Sequence, residues 1–324
     1  MRGPALLPQT RRWFGQATVH RVPWTVEELV AAKQGRTVSV VLPALDEEAT
    51  VGTLVSALRP LVGGLVDELV VMDSGSQDRT VEVAGAAGAR VVHRGDVLPE
   101  LELWPGKGEV LWRSLAATSG DLLVFIDSDL IDFDVGFVPA LLGPLLLCHQ
   151  RRFRMGCQVQ LVKGFYRRPL RVGSVDVGTG GGRVTELLAR PLLNALRPEL
   201  AGVVQPLGGE YAASRTFLES VPFAAGYGVE IGLLLDAHTC YGLAGLAQVH
   251  LGVRKHRNRP LLELGVMSRQ ILGAVLPRCG VAEVAGPPSI AQFVQLRGRF
   301  TPTETRVLVA DRPPMRDVLS ARSA

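Results

Sequence analysis

The chain has 324 residues, 47% of them hydrophobic and 20% charged, with a formal net charge of only +4. A chain of this size and apolarity has room for one large α/β domain with a real core, and wholesale disorder is excluded. General nucleic-acid binding is excluded too, because it needs a dense basic face.

Residues 1–36 show little pattern until Thr25-Val26-Glu27-Glu28-Leu29, which reads as a short capped helix. From there strand and helix alternate. The run 37–43 (TVSVVLP) reads as a buried strand, 47–58 as a helix and 68–72 as a second strand, followed by a helix from about Asp78. A third strand is expected over 89–93, a helix over 106–117 and a fourth strand over 122–126. This succession predicts a mostly parallel sheet wound with helices on both faces. The first turn carries no GxGxxG, which argues against a dinucleotide-binding domain.

Beyond Phe137 the alternation loosens. Strands are expected at 159–163, 208–213 and 246–253, and helices at 185–196, 229–240 and 261–276. The proline-punctuated tail from Gly280 reads as loosely packed. The pattern divides the chain into an N-terminal extension (1–36), a regularly alternating region (37–135), a less regular region (136–280) and a tail (281–324).

The longest apolar run, 137–148, holds two prolines and is too short to span a bilayer. Arg11-Arg12 resembles a twin-arginine signal only faintly, since no apolar segment follows. A cytosolic protein without stable membrane insertion is expected. Cys148, Cys157, Cys240 and Cys279 form neither a CxxC pair nor a zinc spacing.

In wound sheets, ligands sit beyond the carboxyl ends of the strands. Polar motifs fall at those ends: Pro43-Ala44-Leu45-Asp46-Glu47 after the first strand, Asp73-Ser74-Gly75-Ser76 after the second and Asp127-Ser128-Asp129 after the fourth. A pair of carboxylates at a strand end suits Mg²⁺ or Mn²⁺, which holds one or two carboxylates plus substrate phosphates. Such a triplet also occurs in solvated acidic turns. The apolar strand ahead of it and the two other polar strand ends favour the metal site.

His256 lies in the basic run 253–259 after an apolar strand, and reads either as a second metal ligand or as an exposed histidine. Lys107 starts a helix, where a cation is electrostatically out of place. An anionic ligand nearby would explain it, and a plain exposed lysine is the alternative. Glu210 and Glu230 sit in apolar, glycine-rich settings. Each is suited to sugar hydroxyls or to pairing with an arginine, and Glu230 also reads as a first-turn helix carboxylate.

A second anion-handling region lies at Gly178-Thr179-Gly180-Gly181-Gly182-Arg183-Val184-Thr185, where a glycine-rich loop enters a helix and frees backbone N–H groups. Arg183 can fork onto a phosphate or carboxylate, and Thr185 adds a hydroxyl. A flexible linker is the other reading of the glycines. Arg151, Arg152, Arg154, Lys163, Arg167, Arg168 and Arg171 concentrate basic charge upstream.

The stretches VSVVLPALDEEATV, DELVVMDSGSQDRT, LPELELWPGKGEVLWRSLAATSGDLLVFIDSDL, GGGRVTELLARPLL, GGEYAASR, GYGVEIGLLLD and LGVRKHRNRPLLELGVMSRQ resemble the actinobacterial glucosyl-3-phosphoglycerate synthases over roughly residues 23–280. The resemblance implies a GT-A fold, a Mg²⁺-dependent dimer, and transfer of glucose from UDP-glucose to 3-phosphoglycerate with retention, toward methylglucose lipopolysaccharide. A related transferase acting on another phosphorylated acceptor, such as a polyprenyl phosphate, is the alternative.

By motif, the resemblance implies that Pro43, Ala44, Leu45, Glu47, Ser74, Lys107 and Asp127 hold the nucleotide and Glu230 the glucose. Asp129 and His256 would hold the metal, with Arg254 beside the phosphates. Gly182, Arg183, Thr185 and Asn258 would hold the acceptor. The basic segment 149–158 and the loop before Gly180 depart from the family pattern, both beside the acceptor region.

Overall fold

The structure, a computed structural model, describes residues 6–131, 133–147, 158–167, 170–172, 175–177, 182–253, 260–283 and 288–323. An eight-stranded sheet organises it, running from edge to edge as Thr18–Val19, Leu246–Val253, Leu161–Arg167, Tyr211–Ser214, Leu122–Phe125, Val38–Ala44, Glu68–Asp73 and Arg90–His93. The neighbouring inner strands Leu122–Phe125 and Val38–Ala44 are apolar runs buried on both faces, as a sheet covered by helices on each side requires.

The expected elements are present with shifted ends. The helix expected from Glu47 begins at Val51, because 47–50 form a turn in which the Glu47 carbonyl accepts from Thr50 N and Val51 N. The helix expected from Asp78 begins at Thr80. The segment expected as helix over 185–196 opens with a π-helical turn, Thr185–Ala189, before Arg190–Leu196. The sheet is mixed: Tyr211–Ser214 runs antiparallel to both of its neighbours. The early capped helix, Val26–Lys33, has a full capping box. Thr25 Oγ1 accepts from Glu28 N at 3.3 Å, and Glu28 Oε2 accepts from Thr25 N at 3.1 Å.

The tail is the main correction. Its end is anchored, because Met315 is fully buried and Asp311–Arg312 pairs antiparallel with Phe223–Ala224. The Arg312 guanidinium reaches the buried Glu109, with Nε to Oε2 at 2.6 Å and Nη2 to Oε1 at 2.9 Å. The Arg113 Nε shares the same carboxylate at 2.6 Å. Between Gly280 and this anchor stands a hairpin, Ser289–Leu296 with Arg299–Arg306, paired only with itself. Among the described residues no helix is long and apolar enough to cross a membrane.

Candidate active site

The first two strand-end loops are laced together. Asp46 takes a left-handed backbone, φ 55°, a conformation that a short polar side chain tolerates. Its N–H donates to Ser76 Oγ at 3.0 Å while its Oδ1 accepts from Gln77 N at 2.7 Å. Glu48 repeats the pattern, donating from N to Asp78 Oδ2 at 3.1 Å and accepting on Oε2 from Arg79 N at 3.0 Å. Asp73 closes its own turn by accepting from Gly75 N and Ser76 N at 3.0 and 3.1 Å. Asp46, Glu48, Asp73 and Asp78 are therefore occupied with backbone.

This lacing presents the intervening residues to a cavity of about 510 Å³ at the carboxyl edge of the sheet. Pro43, Ala44, Leu45, Glu47 and Ser74 line it on one side, and Lys107, Asp127, Ser128 and Asp129 on the other. Leu45 is 53% exposed, a large apolar side chain left in the open at the cavity. Ser128 is turned away from the opening, its Oγ donating to the Pro43 carbonyl at 2.8 Å. Arg94, Pro105, Gly106, Val110 and Tyr227 complete the lining, and sequence reasoning singled out none of them for a role. Arg94 stands alone after a short strand, with no motif to mark it.

The anion that explains Lys107 is supplied by the protein. Its ammonium bridges Asp127 and Glu230, the latter at 2.6 Å. Glu230 is 4% exposed in the first turn of Val229–Tyr241, so burial and the pairing act together. Burial alone would depress the Lys107 ammonium. Asp127 and then Glu230 more than offset that and hold it well above the usual lysine range.

Behind this triad lies a buried layer. Lys163 Nζ donates to the Gly208 carbonyl at 2.5 Å, with its charge 4.8 Å from the centre of the Tyr211 ring. Its ammonium is pulled down to about 8, chiefly by burial. Glu210 accepts from the Tyr166 hydroxyl at 2.8 Å. Gly209 lies against Asp127 so closely that a Cβ there would stand 2.3 Å from Oδ2.

Formal charge decides what the cavity can receive. Glu47, Asp127, Asp129 and the adjoining Glu230 contribute four negative charges, and Arg94 and Lys107 two positive ones, leaving −2 among the described residues. Such a wall takes in an anionic diphosphate only with a cation. The oxygen donors Asp127 and Asp129 suit Mg²⁺ or Mn²⁺ completed by phosphates and water. Lys107 already engages Asp127, so a metal at that carboxylate would compete with the ammonium. The described residues hold no group of three or more potential metal ligands.

His256, proposed as the second ligand, lies outside the described residues, as do Arg254 and Asn258. Gly182, Arg183 and Thr185 are described but are not part of the cavity lining. Gly182 has φ 80°, the left-handed turn that glycine favours, and its carbonyl accepts from Glu186 N at 3.0 Å as the π-helical turn begins. Single π turns inside helices recur at functional sites.

Comparison with known proteins gives this geometry a context. The family model Glycosyl transferase family 2 matches residues 39–145, the stretch that builds most of the cavity. A glucosyl-3-phosphoglycerate synthase of Mycolicibacterium smegmatis is 60% identical, over 94% of this chain and 97% of its own. Two crystal structures of glucosyl-3-phosphoglycerate synthase from Mycobacterium tuberculosis each superpose with a TM-score of 0.83, covering 94% of this chain and 99% of theirs. One, 56% identical, is a complex with Mn²⁺, uridine diphosphate and glucosyl-3-phosphoglycerate; the other, 57% identical, holds Mg²⁺ and uridine diphosphate. The shared GT-A architecture and an identity this high over nearly the full length of both chains place the protein in one family: it belongs to the glucosyl-3-phosphoglycerate synthases.

Proposed function

We propose that the protein transfers glucose from UDP-glucose to the hydroxyl of 3-phosphoglycerate in the cytoplasm, with retention at the anomeric carbon. The observation that carries this reading is a cavity that gathers a nucleotide-sized apolar and polar wall, both carboxylates of the DxD triplet, and a Lys107–Asp127–Glu230 triad closed by the buried Glu230. The product complex of the relative, uridine diphosphate with glucosyl-3-phosphoglycerate, contains the two molecules such a transfer would leave behind.

The first wall takes the nucleoside. The backbone of 43–45 grips the base edge, Leu45 covers its face, and Glu47 and Ser74 accept or donate to ribose hydroxyls. Glu230, held rigid by Lys107, accepts hydrogen bonds from glucose hydroxyls and fixes the ring. Asp129 with His256 would hold Mg²⁺ or Mn²⁺, which when bound neutralises the charge that develops on the departing diphosphate. Arg254 would serve the phosphates. On the other side Gly182, Arg183, Thr185 and Asn258 hold the carboxylate and phosphate of 3-phosphoglycerate so that its hydroxyl faces the anomeric carbon.

Asp127 and Glu230 are both engaged by Lys107, which leaves neither suited to form a glycosyl–enzyme bond. Retention then follows from attack on the face that the leaving group departs. The bond from acceptor oxygen to anomeric carbon forms as the bond to the phosphate oxygen breaks, and that phosphate oxygen takes the acceptor's proton. Asp129→Ala should abolish release of UDP from UDP-glucose and 3-phosphoglycerate; full turnover in that variant would refute the site. Arg183→Ala should raise the KM for 3-phosphoglycerate and leave that for UDP-glucose unchanged.

The same reading includes a homodimer. The projecting hairpin exposes Phe293 (63%), Leu296 (58%) and Phe300 (72%), beside Leu261 on the neighbouring helix. The hairpin packs on that helix, with Gln292 Nε2 donating to the Leu262 carbonyl at 2.9 Å, and cover by a second copy would bury the apolar side chains still left in the open. Light scattering should give a dimer mass for the wild type and a monomer mass for Phe293→Ser/Phe300→Ser.

A further inference from the structure

The stretch 97–106 has no regular secondary structure, yet it supplies Pro105 and Gly106 to the cavity wall and leads directly into Lys107. Its carbonyls are collected by three guanidinium groups. Arg113 receives those of Val97, Leu98, Leu101 and Glu102. Arg94 takes that of Trp104 at 3.1 Å. Arg312 donates to that of Glu102, and its Cζ stands over the Trp104 ring, 3.8 Å from its centre. The first two belong to the same part of the fold. Arg312 arrives from the far end of the chain.

The segment that carries Arg312 also grips the opposite wall. Ala225 N donates to the Ala310 carbonyl at 3.2 Å, immediately before Gly226 and the cavity residue Tyr227. Gly226 and Gly106 are in close approach, since a Cβ on Gly106 would stand 2.8 Å from Gly226 Cα. The segment is itself fastened at both sides of Arg312. Asp311 pairs with Arg278 at 2.8 Å, and the Pro313 carbonyl accepts from Trp112 Nε1 at 2.8 Å.

We infer that residues 310–313 form a strap that sets the spacing between the 104–107 and 225–227 walls of the cavity, with Arg312 as a positioning residue for Lys107. The inference rests on the reading of this cavity as the donor site. Arg312 touches no substrate. It acts by presenting a planar, bidentate cation to Glu109 while stacking on Trp104, a combination that a lysine does not reproduce. The strap thus serves donor binding and leaves the acceptor side untouched.

The test measures UDP affinity by calorimetry with Mn²⁺, together with both KM values, in Lys107→Met, Arg312→Met and Arg312→Lys. Arg312→Met keeps Glu109 paired with Arg113. It should weaken UDP and raise the KM for UDP-glucose about 10-fold, the scale of a sub-ångström to ångström misplacement, with the 3-phosphoglycerate KM within about twofold of wild type. Arg312→Lys should restore little of this. Trp104→Leu removes the stacking face while leaving the ion network, and should reproduce the donor-specific shift if Arg312→Met does not fold. Wild-type donor KM in these variants, or a loss confined to kcat or spread equally over both substrates, overturns the strap. Unchanged UDP affinity in Lys107→Met instead sinks the donor reading of the cavity, and the strap's role with it.

Discussion

Replacing Lys107 by Met removes the cation from between two carboxylates while keeping most of the side-chain volume. At the 2.6 Å separation from Glu230, and an effective dielectric constant of about 20, the attraction of that pair alone is worth about 6 kcal/mol before desolvation is subtracted. Breaking a buried pair by removing one partner costs about 3–5 kcal/mol, because the partner left behind keeps its desolvation penalty. Glu230 is buried, but Lys107 and Asp127 keep 16% and 20% of their side chains exposed to solvent, so the lower end of that range, about 3 kcal/mol, is the expected loss of stability for Lys107→Met. Glu230→Gln leaves Lys107 its contact with Asp127 and should cost about half as much. The double variant no longer strands a charge at position 230, so its loss should fall short of the sum by about 2 kcal/mol. Urea denaturation of the four proteins reads this coupling directly. Losses that add to within about 0.5 kcal/mol would show that the two side chains do not share one electrostatic unit, and the account of the triad would fall.

Gly209→Ala places a methyl 2.3 Å from Asp127 Oδ2, so the carboxylate must move, and kcat/KM for UDP-glucose should drop by roughly 100-fold; a wild-type value would mean that the orientation of Asp127 is immaterial. Lys163 is depressed to about 8 in the fold against about 10.4 in an unfolded chain. Between those values the unfolded state binds the proton that the native state has released. Stability therefore rises with pH across that window, by up to about 3 kcal/mol, and the gain disappears below pH 8. Denaturation midpoints at pH 7.5 and 9.5 should show this rise in the wild type and not in Lys163→Met, and parallel behaviour would refute the depressed lysine. Thr25→Ala removes one arm of the capping box and should cost about 1 kcal/mol with no change in either KM.

Much of the sheet was legible because its inner strands are short apolar runs closed by polar turns, and such runs announce themselves without any tertiary information. The direction of Tyr211–Ser214 was not, since a strand's residues look the same whichever way it is laid beside its neighbours. The anchored tail was misread for a related reason. Asp311-Arg312-Pro313-Pro314 carries every local mark of a loose segment, and what fastens it is a carboxylate 203 positions earlier in the chain. Periodicity and turn propensity report on neighbours in sequence, and a buried guanidinium with distant partners leaves no trace in either.

The acidic strand ends show the same boundary inside the site. Read as sequence, Asp46, Glu47 and Glu48 are three equivalent carboxylates, and only the lacing of the two loops separates them. Asp46 and Glu48 each accept a backbone N–H from the neighbouring loop, while Glu47 lines the cavity and accepts on Oε2 from its own turn's Thr50 Oγ1 at 3.2 Å. Lys107 was the one residue whose local oddity pointed beyond itself, because a cation opening a helix opposes the helix dipole and needs a compensating anion. The anion proves to be a carboxylate of the protein and not the ligand expected. Its identity was not available from spacing, because Glu230 is brought to Lys107 only when Val229–Tyr241 packs against the start of Lys107–Ala117, where Gly108 lies so close to Ala224 that a Cβ would stand 2.1 Å from its carbonyl oxygen. Glycine at 108 is thus as much a condition of the triad as the three charges are, since a side chain there would push the 224–225 backbone, and the helix that follows it, away from Lys107.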